Sequence, residues 1–417
     1  MSKLIITGGK RLSGEIAIHG AKNSVLPILA ATVLSHGISV IHNCPDLSDV
    51  NAAVKILRHL GCKCSLKDGT ITVDSNTINC SQIPDELMRE MRSSVMFLGA
   101  ILGRCGRASI SAPGGCELGP RPIDLHISSL AKIGAKVREK HGIIEFSVPK
   151  QLKGCEINLS FASVGATENI ILAAVTAQGV TVIHNAAKEP EICDLADFLN
   201  GCGARVYGCG TDTVTIYGVD TLNGCEHTVI PDRIAAATYM AATAVTGGNV
   251  ILKNVNPQHL KAVNAVFEEA GCDIRFTNNS LSLYAPQRLK RVPTVRTVVY
   301  PGFPTDAGPL VLAMLSKASG TSVVVENIFE NRFKYVDELK RFGAKINVEG
   351  RVAVIEGVDT LSGAPCKCTD LRGGAALVIA ALAAQGTSVI GEIHHIKRGY
   401  ENISERLSAL GAEIYEE

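Results

Sequence analysis

The sequence predicts an α/β protein of two domains, each holding three copies of one strand–helix–strand unit. Three observations predict it. Glycines recur about every 70 residues behind amphipathic helices, a second set of helices is apolar nearly all round, and the two chain ends each carry part of a unit. The glycines are Gly61, Gly134, Gly203, Gly271, Gly343 and Gly411. Each falls where a helix stops and a left-handed residue is favoured.

The first copy opens on the strand Ile38-Ser39-Val40-Ile41-His42-Asn43 and continues into a helix with Val50, Val54, Leu57 and Leu60 on one face. The second ends its helix on Leu130 and Ile133, and the third starts on Val180-Thr181-Val182-Ile183-His184-Asn185. In the sixth, Ile403, Leu407 and Leu410 keep spacings of three and four, which place apolar side chains on one helix face. Between copies lie helices without a polar face, such as Ile170 to Ala177 and Ala375 to Ala384. Such helices are buried.

The ends fit together. The sixth copy stops at Glu416-Glu417, whereas the fifth runs on through the strand Val352 to Glu356. The segments Lys3 to Thr7 and Gly14 to His19 read as spare strands that complete the last unit. The expected domains are 22–229, and 1–21 joined with 230–417. Two crossings between them predict a hinge with a cleft beside it.

Composition narrows the function classes. Hydrophobic residues make up 46% of the chain, charged residues 19%, and aromatics 4% with no Trp, so the core is built from Ala, Val, Ile and Leu. A net charge of +1 provides no field for nucleic acid. The start of the chain reads as neither signal peptide nor membrane span, so a cytoplasmic location is expected. The 14 cysteines include Cys62, Cys202 and Cys272 in apolar surroundings, which read as small core residues in a reducing compartment. The pairs at Cys64 and Cys368 lack metal-ligand spacing, so no metal is expected.

The segments leading into the buried helices are Ala21-Lys22-Asn23-Ser24, Met91-Arg92-Ser93-Ser94, Ala162 to Thr167, Pro231-Asp232-Arg233, Phe303-Pro304-Thr305-Asp306 and Asp370-Leu371-Arg372-Gly373-Gly374. Helix starts present unpaired N–H groups and attract anions, and four of these add Lys or Arg. Each segment alone reads equally as an ordinary helix cap, Asp306 included. Together they point to a multiply anionic ligand. One further loop, Ala112 to Leu125, surrounds Cys116 and Arg121 with three glycines and three prolines. Arg121 favours the thiolate, so Cys116 is a candidate acid, base or nucleophile; incidental placement is the alternative.

The run Pro113-Gly114-Gly115-Cys116, followed by Gly119-Pro120-Arg121-Pro122-Ile123-Asp124-Leu125-His126, resembles the active-site loop of the UDP-N-acetylglucosamine 1-carboxyvinyltransferases, an enolpyruvyl transferase family. Further matches are Gly20-Ala21-Lys22-Asn23, Ser163-Val164-Gly165-Ala166-Thr167, Phe329-Glu330-Asn331-Arg332-Phe333 and Arg398-Gly399-Tyr400-Glu401. The resemblance spans essentially the whole chain. It implies an inside-out α/β barrel of two domains, each with three βαβαββ units. It implies addition of a sugar 3-hydroxyl to C2 of phosphoenolpyruvate, with a proton added to C3 and phosphate then lost, in the first committed step of peptidoglycan synthesis. No metal or organic cofactor is implied, and the partners are the two small-molecule substrates.

The resemblance also assigns residues. Cys116 is the general acid and the site of covalent attack by fosfomycin. Lys22, Asn23, Arg121 and Arg398 meet phosphoenolpyruvate, and Lys22 and Arg398 join the catalytic set. Asp306 orients and deprotonates the sugar hydroxyl. Arg92, Arg121, Pro122, Ile123, Asp124, Leu125, Ser163, Val164, Gly165, Asp306 and Ile328 form the UDP-sugar site, supported by Asp370 and Arg372. Some members carry Lys where this chain has Phe161, which removes one expected diphosphate contact. The alternatives are a synthase-like transferase acting on shikimate 3-phosphate, and an idle paralogue that only binds UDP-sugars.

Overall fold

The computed structural model describes residues 2–111 and 123–417. The described chain divides into two compact units, a first of residues 20–111 and 123–230 and a second of residues 2–19 and 231–417. Each has its own apolar core.

Among the described residues, each unit has an inner layer of three helices: α1 (Lys22–Ala31), α2 (Phe97–Cys105) and α3 (Val164–Ala174) in the first, and α4 (Arg233–Thr246), α5 (Gly308–Leu315) and α6 (Leu371–Ala383) in the second. From Ile234 to Val245 every residue of α4 is buried, as an all-apolar helix requires. Helices α4, α5 and α6 pack on one another, and α2 packs on α1 and α3. Gly99 permits the second contact: a Cβ there would lie 2.3 Å from the Asn169 carbonyl oxygen.

Amphipathic helices such as Ser48–His59 and Pro190–Gly201 form an outer layer with the sheets. The six recurring glycines have φ from 85° at Gly343 to 111° at Gly134. That is the left-handed turn expected behind each outer helix.

Among the described residues, five four-stranded sheets share one strand order. In each, a parallel edge strand lies beside a central strand, followed by two antiparallel strands. In the first sheet Glu226–Thr228 runs parallel to Ile38–His42, which pairs antiparallel with Thr70–Asp74 and through it with Lys63–Lys67. The last strand of the first unit thus returns to its first sheet.

The second unit closes differently from the sequence expectation. Leu4–Thr7 does insert between Thr387–Gly391 and Glu413–Glu416, completing the last sheet. Ser13–Ala17 instead runs parallel to Asn249–Lys253, the central strand of that unit's first sheet. The reason is ring closure: each sheet takes its parallel edge from the neighbouring copy. An asparagine side chain stitches several of these edges. Asn43, Asn185 and Asn254, all at positive φ, donate to the carbonyls of Val229, Leu159 and Ile18 at 2.9, 2.9 and 2.7 Å.

The described cysteines are all free. Burial pushes the thiols of Cys62 and Cys272 up to about 12, so they are inert core groups at neutral pH. No described helix is long and apolar enough to cross a membrane, and no described cluster of His, Cys, Asp and Glu has metal-binding geometry.

Candidate active site

In the first unit, Lys22 opens α1 without a capping side chain before it. Its Nζ lies 2.6 Å from Asp49 Oδ2, and both side chains are buried. Asp49 sits in the first turn of Ser48–His59, where a carboxylate also answers the helix dipole. Asn23, the next residue of α1, is exposed, and Ser24 donates from its hydroxyl to Asp194. Asp194 also pairs with His227 Nε2 at 2.9 Å and accepts the Ile230 N–H at 3.2 Å. The start of α1 is therefore fixed to the outer helix and to the end of the unit.

Arg92 begins a 3-10 turn, Arg92–Met96, that leads into α2. Ser163 caps α3, accepting the Ala166 N–H at 3.3 Å. Asp124 and Leu125 begin the outer helix Asp124–Lys132, behind Ile123. One buried side chain joins these three segments. Asn169 on α3 donates to the Val95 carbonyl at 2.9 Å, accepts the Gly99 N–H at 2.7 Å, and lies 2.7 Å from His126 Nδ1. With its oxygen used by Gly99, Asn169 donates to Nδ1, so the imidazole carries its proton on Nε2. Burial lowers the His126 pKa to about 4, which keeps it neutral. The position of Gly165 faces that ring: a Cβ there would lie 3.1 Å from His126 Cε1. Phe161 is exposed.

In the second unit, Asp306 does not cap α5. It sits inside the 3-10 turn Thr305–Ala307, and its carboxylate meets two buried guanidiniums. Arg332 Nη2 donates to Oδ1 at 3.0 Å and Arg372 Nε donates to Oδ2 at 3.2 Å. The Asp306 side chain is 29% exposed, against 2% for Arg332 and 3% for Arg372. Burial pulls the Arg372 pKa down, but Tyr400, Asp306 and Asp232 outweigh it and hold it above the ordinary arginine value. Arg372 Nη1 also donates to Tyr400 Oη at 3.0 Å, and Tyr400 meets Thr238 Oγ1 at 2.8 Å. Asp370 does cap α6, accepting the N–H groups of Arg372 and Gly373 at 3.1 and 3.0 Å. Ile328 is half-buried in the turn after Thr321–Val325, and half-buried Arg398 ends the 3-10 turn Ile393–Arg398.

This arrangement offers a buried lysine at one helix start and a carboxylate oriented by two arginines at another. Cys116, Arg121 and Pro122 lie outside the described residues, and of Arg92 only the backbone is described.

A model of the EPSP synthase (3-phosphoshikimate 1-carboxyvinyltransferase) family matches residues 6–407. A UDP-N-acetylglucosamine 1-carboxyvinyltransferase 2 of Caldanaerobacter subterraneus subsp. tengcongensis is 52% identical over 414 residues, covering 99% of each chain. The chain belongs to the UDP-N-acetylglucosamine 1-carboxyvinyltransferase family. A UDP-N-acetylglucosamine 1-carboxyvinyltransferase of Geobacter metallireducens is 45% identical over 414 residues, again 99% of each chain. Among solved structures, the enolpyruvyl transferase NikO of Streptomyces tendae matches with a TM-score of 0.89 at 24% identity, covering 100% of this chain and 98% of that one. An EPSP synthase of Acinetobacter baumannii matches at 0.77 and 20%, covering 100% and 99%. The fold is thus that of the enolpyruvyl transferases.

Asp49, Asn169 and Tyr400 hold candidate residues or the segments that carry them, and sequence reasoning assigned none of them a role. Arg332 and Tyr400 stood in recognised motifs without one. Asn169 carried a signal, the last of three consecutive polar residues, Thr167, Glu168 and Asn169, on a buried helix. Asp49 carried none, because its partner Lys22 is remote in sequence.

Proposed function

We propose that this protein transfers the enolpyruvyl group of phosphoenolpyruvate to the 3-hydroxyl of UDP-N-acetylglucosamine and releases phosphate. The observation that carries this reading is the Asp306 carboxylate, partly open to solvent and aligned by Arg332 and Arg372. Such a group can accept a hydroxyl proton without moving. Full-length relatives bearing the name of that activity support it.

In this reading the sugar hydroxyl loses its proton to Asp306 as its oxygen bonds to C2 of phosphoenolpyruvate. Cys116 delivers a proton to C3. The resulting tetrahedral adduct returns a proton from C3 to the Cys116 thiolate and expels phosphate, which forms the enol ether. Lys22, Asn23, Arg121 and Arg398 bind the carboxylate and phosphate. Arg92, Arg121 to Leu125, Ser163 to Gly165 and Ile328 bind the UDP-sugar, with Asp370 and Arg372 in support. The recurring sheet order supports six βαβαββ units, three per domain, in an inside-out α/β barrel. A cytoplasmic location belongs to the same reading.

The test is phosphate release from phosphoenolpyruvate with UDP-N-acetylglucosamine or shikimate 3-phosphate as acceptor. Release with the sugar nucleotide alone is expected; release with shikimate 3-phosphate alone would assign the chain to the other branch. Cys116→Ser should nearly abolish turnover while the sugar nucleotide still binds, and Cys116→Asp should retain activity. Normal turnover by the Ser variant would remove the general acid.

A further inference from the structure

The segment carrying Asp306 and the turn carrying Ile328 are about 20 residues apart, and helix α5 with the strand Thr321–Val325 lies between them. One carboxylate joins them. Glu326, buried to 1% exposure, directly follows that strand. Its Oε1 accepts the N–H groups of Ile328 and Phe329 at 2.7 and 3.0 Å. Its Oε2 accepts the Thr305 hydroxyl at 2.8 Å. Thr305 is the neighbour of Asp306, and its carbonyl accepts from Arg332 Nη2 at 3.1 Å, the same nitrogen that binds Asp306.

We infer that Glu326 is a positioning residue that holds the Asp306 turn and the Ile328 turn in register for the acceptor substrate. This rests on the proposed placement of Asp306 and Ile328 at the UDP-sugar. The physical case is that a buried carboxylate is costly unless its lone pairs are used. Here three hydrogen bonds from two separate segments use them. Its strength as a charged acceptor suits it to fixing irregular backbone, where no ladder of main-chain bonds does so. Bonds at both oxygens also fix the distance between the two turns. A shift of one relative to the other would misplace the hydroxyl against its proton acceptor, and misplacement of about 1 Å can cost up to about a hundredfold in rate.

The experiment compares Glu326→Ala, Glu326→Gln and Thr305→Val in the full chain, with Asp306→Asn as reference, by steady-state kinetics in both substrates. Glu326→Ala should raise KM for UDP-N-acetylglucosamine and lower kcat by about tenfold each, leaving KM for phosphoenolpyruvate unchanged. Glu326→Gln keeps an acceptor oxygen for the two N–H groups and should restore most of the lost affinity. Thr305→Val is close in shape, removes the other link alone, and should lower kcat severalfold. A merely structural role would reduce the active fraction and move neither KM. Unchanged KM for the sugar nucleotide in Glu326→Ala, with normal kcat in Thr305→Val, would overturn the inference. If Asp306→Asn itself turned over normally, the underlying reading would fail instead.

Discussion

The two units hold charge in opposite ways. In the first, the cation Lys22 is buried and meets the equally buried Asp49. In the second, the anion Asp306 stays 29% exposed while two buried guanidiniums grip it. A buried pair is bound up with folding, because removing either member leaves an uncompensated charge. A carboxylate at the surface of a buried arginine frame is instead oriented and still accessible. Lys22 is thus part of its unit's stability, whereas Asp306 is held in orientation and still open to solvent.

The strongest way to break this contrast is to remove the charges one at a time. Lys22→Met and Asp49→Asn should each cost about 3–5 kcal/mol in urea unfolding, and the double variant much less than their sum. Additive costs would show that the pair is not coupled. Asp306→Asn should lose roughly a hundredfold or more in turnover, the scale of a lost general base. A helix-cap reading of Asp306 predicts unchanged melting for that variant. Since Asp306 instead faces Arg332 and Arg372, a loss of about 1–3 kcal/mol is expected. Stability loss without turnover loss would reverse the contrast between the units.

Two pH experiments sharpen it. His126 has its pKa depressed by burial from 6.5 to about 4 in the folded protein. Below pH 6.5 the unfolded chain takes up a proton that the folded chain refuses, so stability falls between pH 6.5 and 4. His126→Gln should remove that loss, gaining on the native protein by roughly 2 kcal/mol between pH 7.5 and 5, read from urea midpoints. A constant gap across pH would mean His126 is accessible. The other concerns Glu168, fully buried on α3, with no described partner for either oxygen. Burial, with Glu191 and Glu189 adding to it, raises its pKa well above the ordinary carboxyl value. The folded chain therefore retains a proton that the unfolded chain releases, and stability falls as pH rises from 4.5 toward the folded pKa. Glu168→Gln should gain on the native protein between pH 5 and 8 in the same measurement. No such gain would mean the carboxyl is solvated.

Much of the fold was legible because periodicity is local. The spacing of Val50, Val54 and Leu57 marks an outer helix, and the apolar run of α6 marks an inner one. The left-handed glycines punctuate both. The candidate segments at the helix starts were legible for the same reason. The destination of Ser13–Ala17 was not, because an edge strand of five residues carries no label for its partner. Nor were the partners of Asp306: the family resemblance singled it out as a proton acceptor, but Arg332 and Arg372 reach it across 26 and 66 residues.

What the sequence by itself determined is therefore the repeating alternation of outer and inner helices, the core composition, and the residue types gathered at the helix starts. Each follows from hydrophobic spacing or backbone preference within one turn or strand. What only the tertiary structure decided is which charge answers which: Asp49 to Lys22, Arg332 and Arg372 to Asp306, Glu326 to two turns at once, and Asn169 to three segments. These pairings depend on distances between elements remote along the chain, and electrostatic and hydrogen-bond energies fall too steeply with distance for sequence order to reveal them.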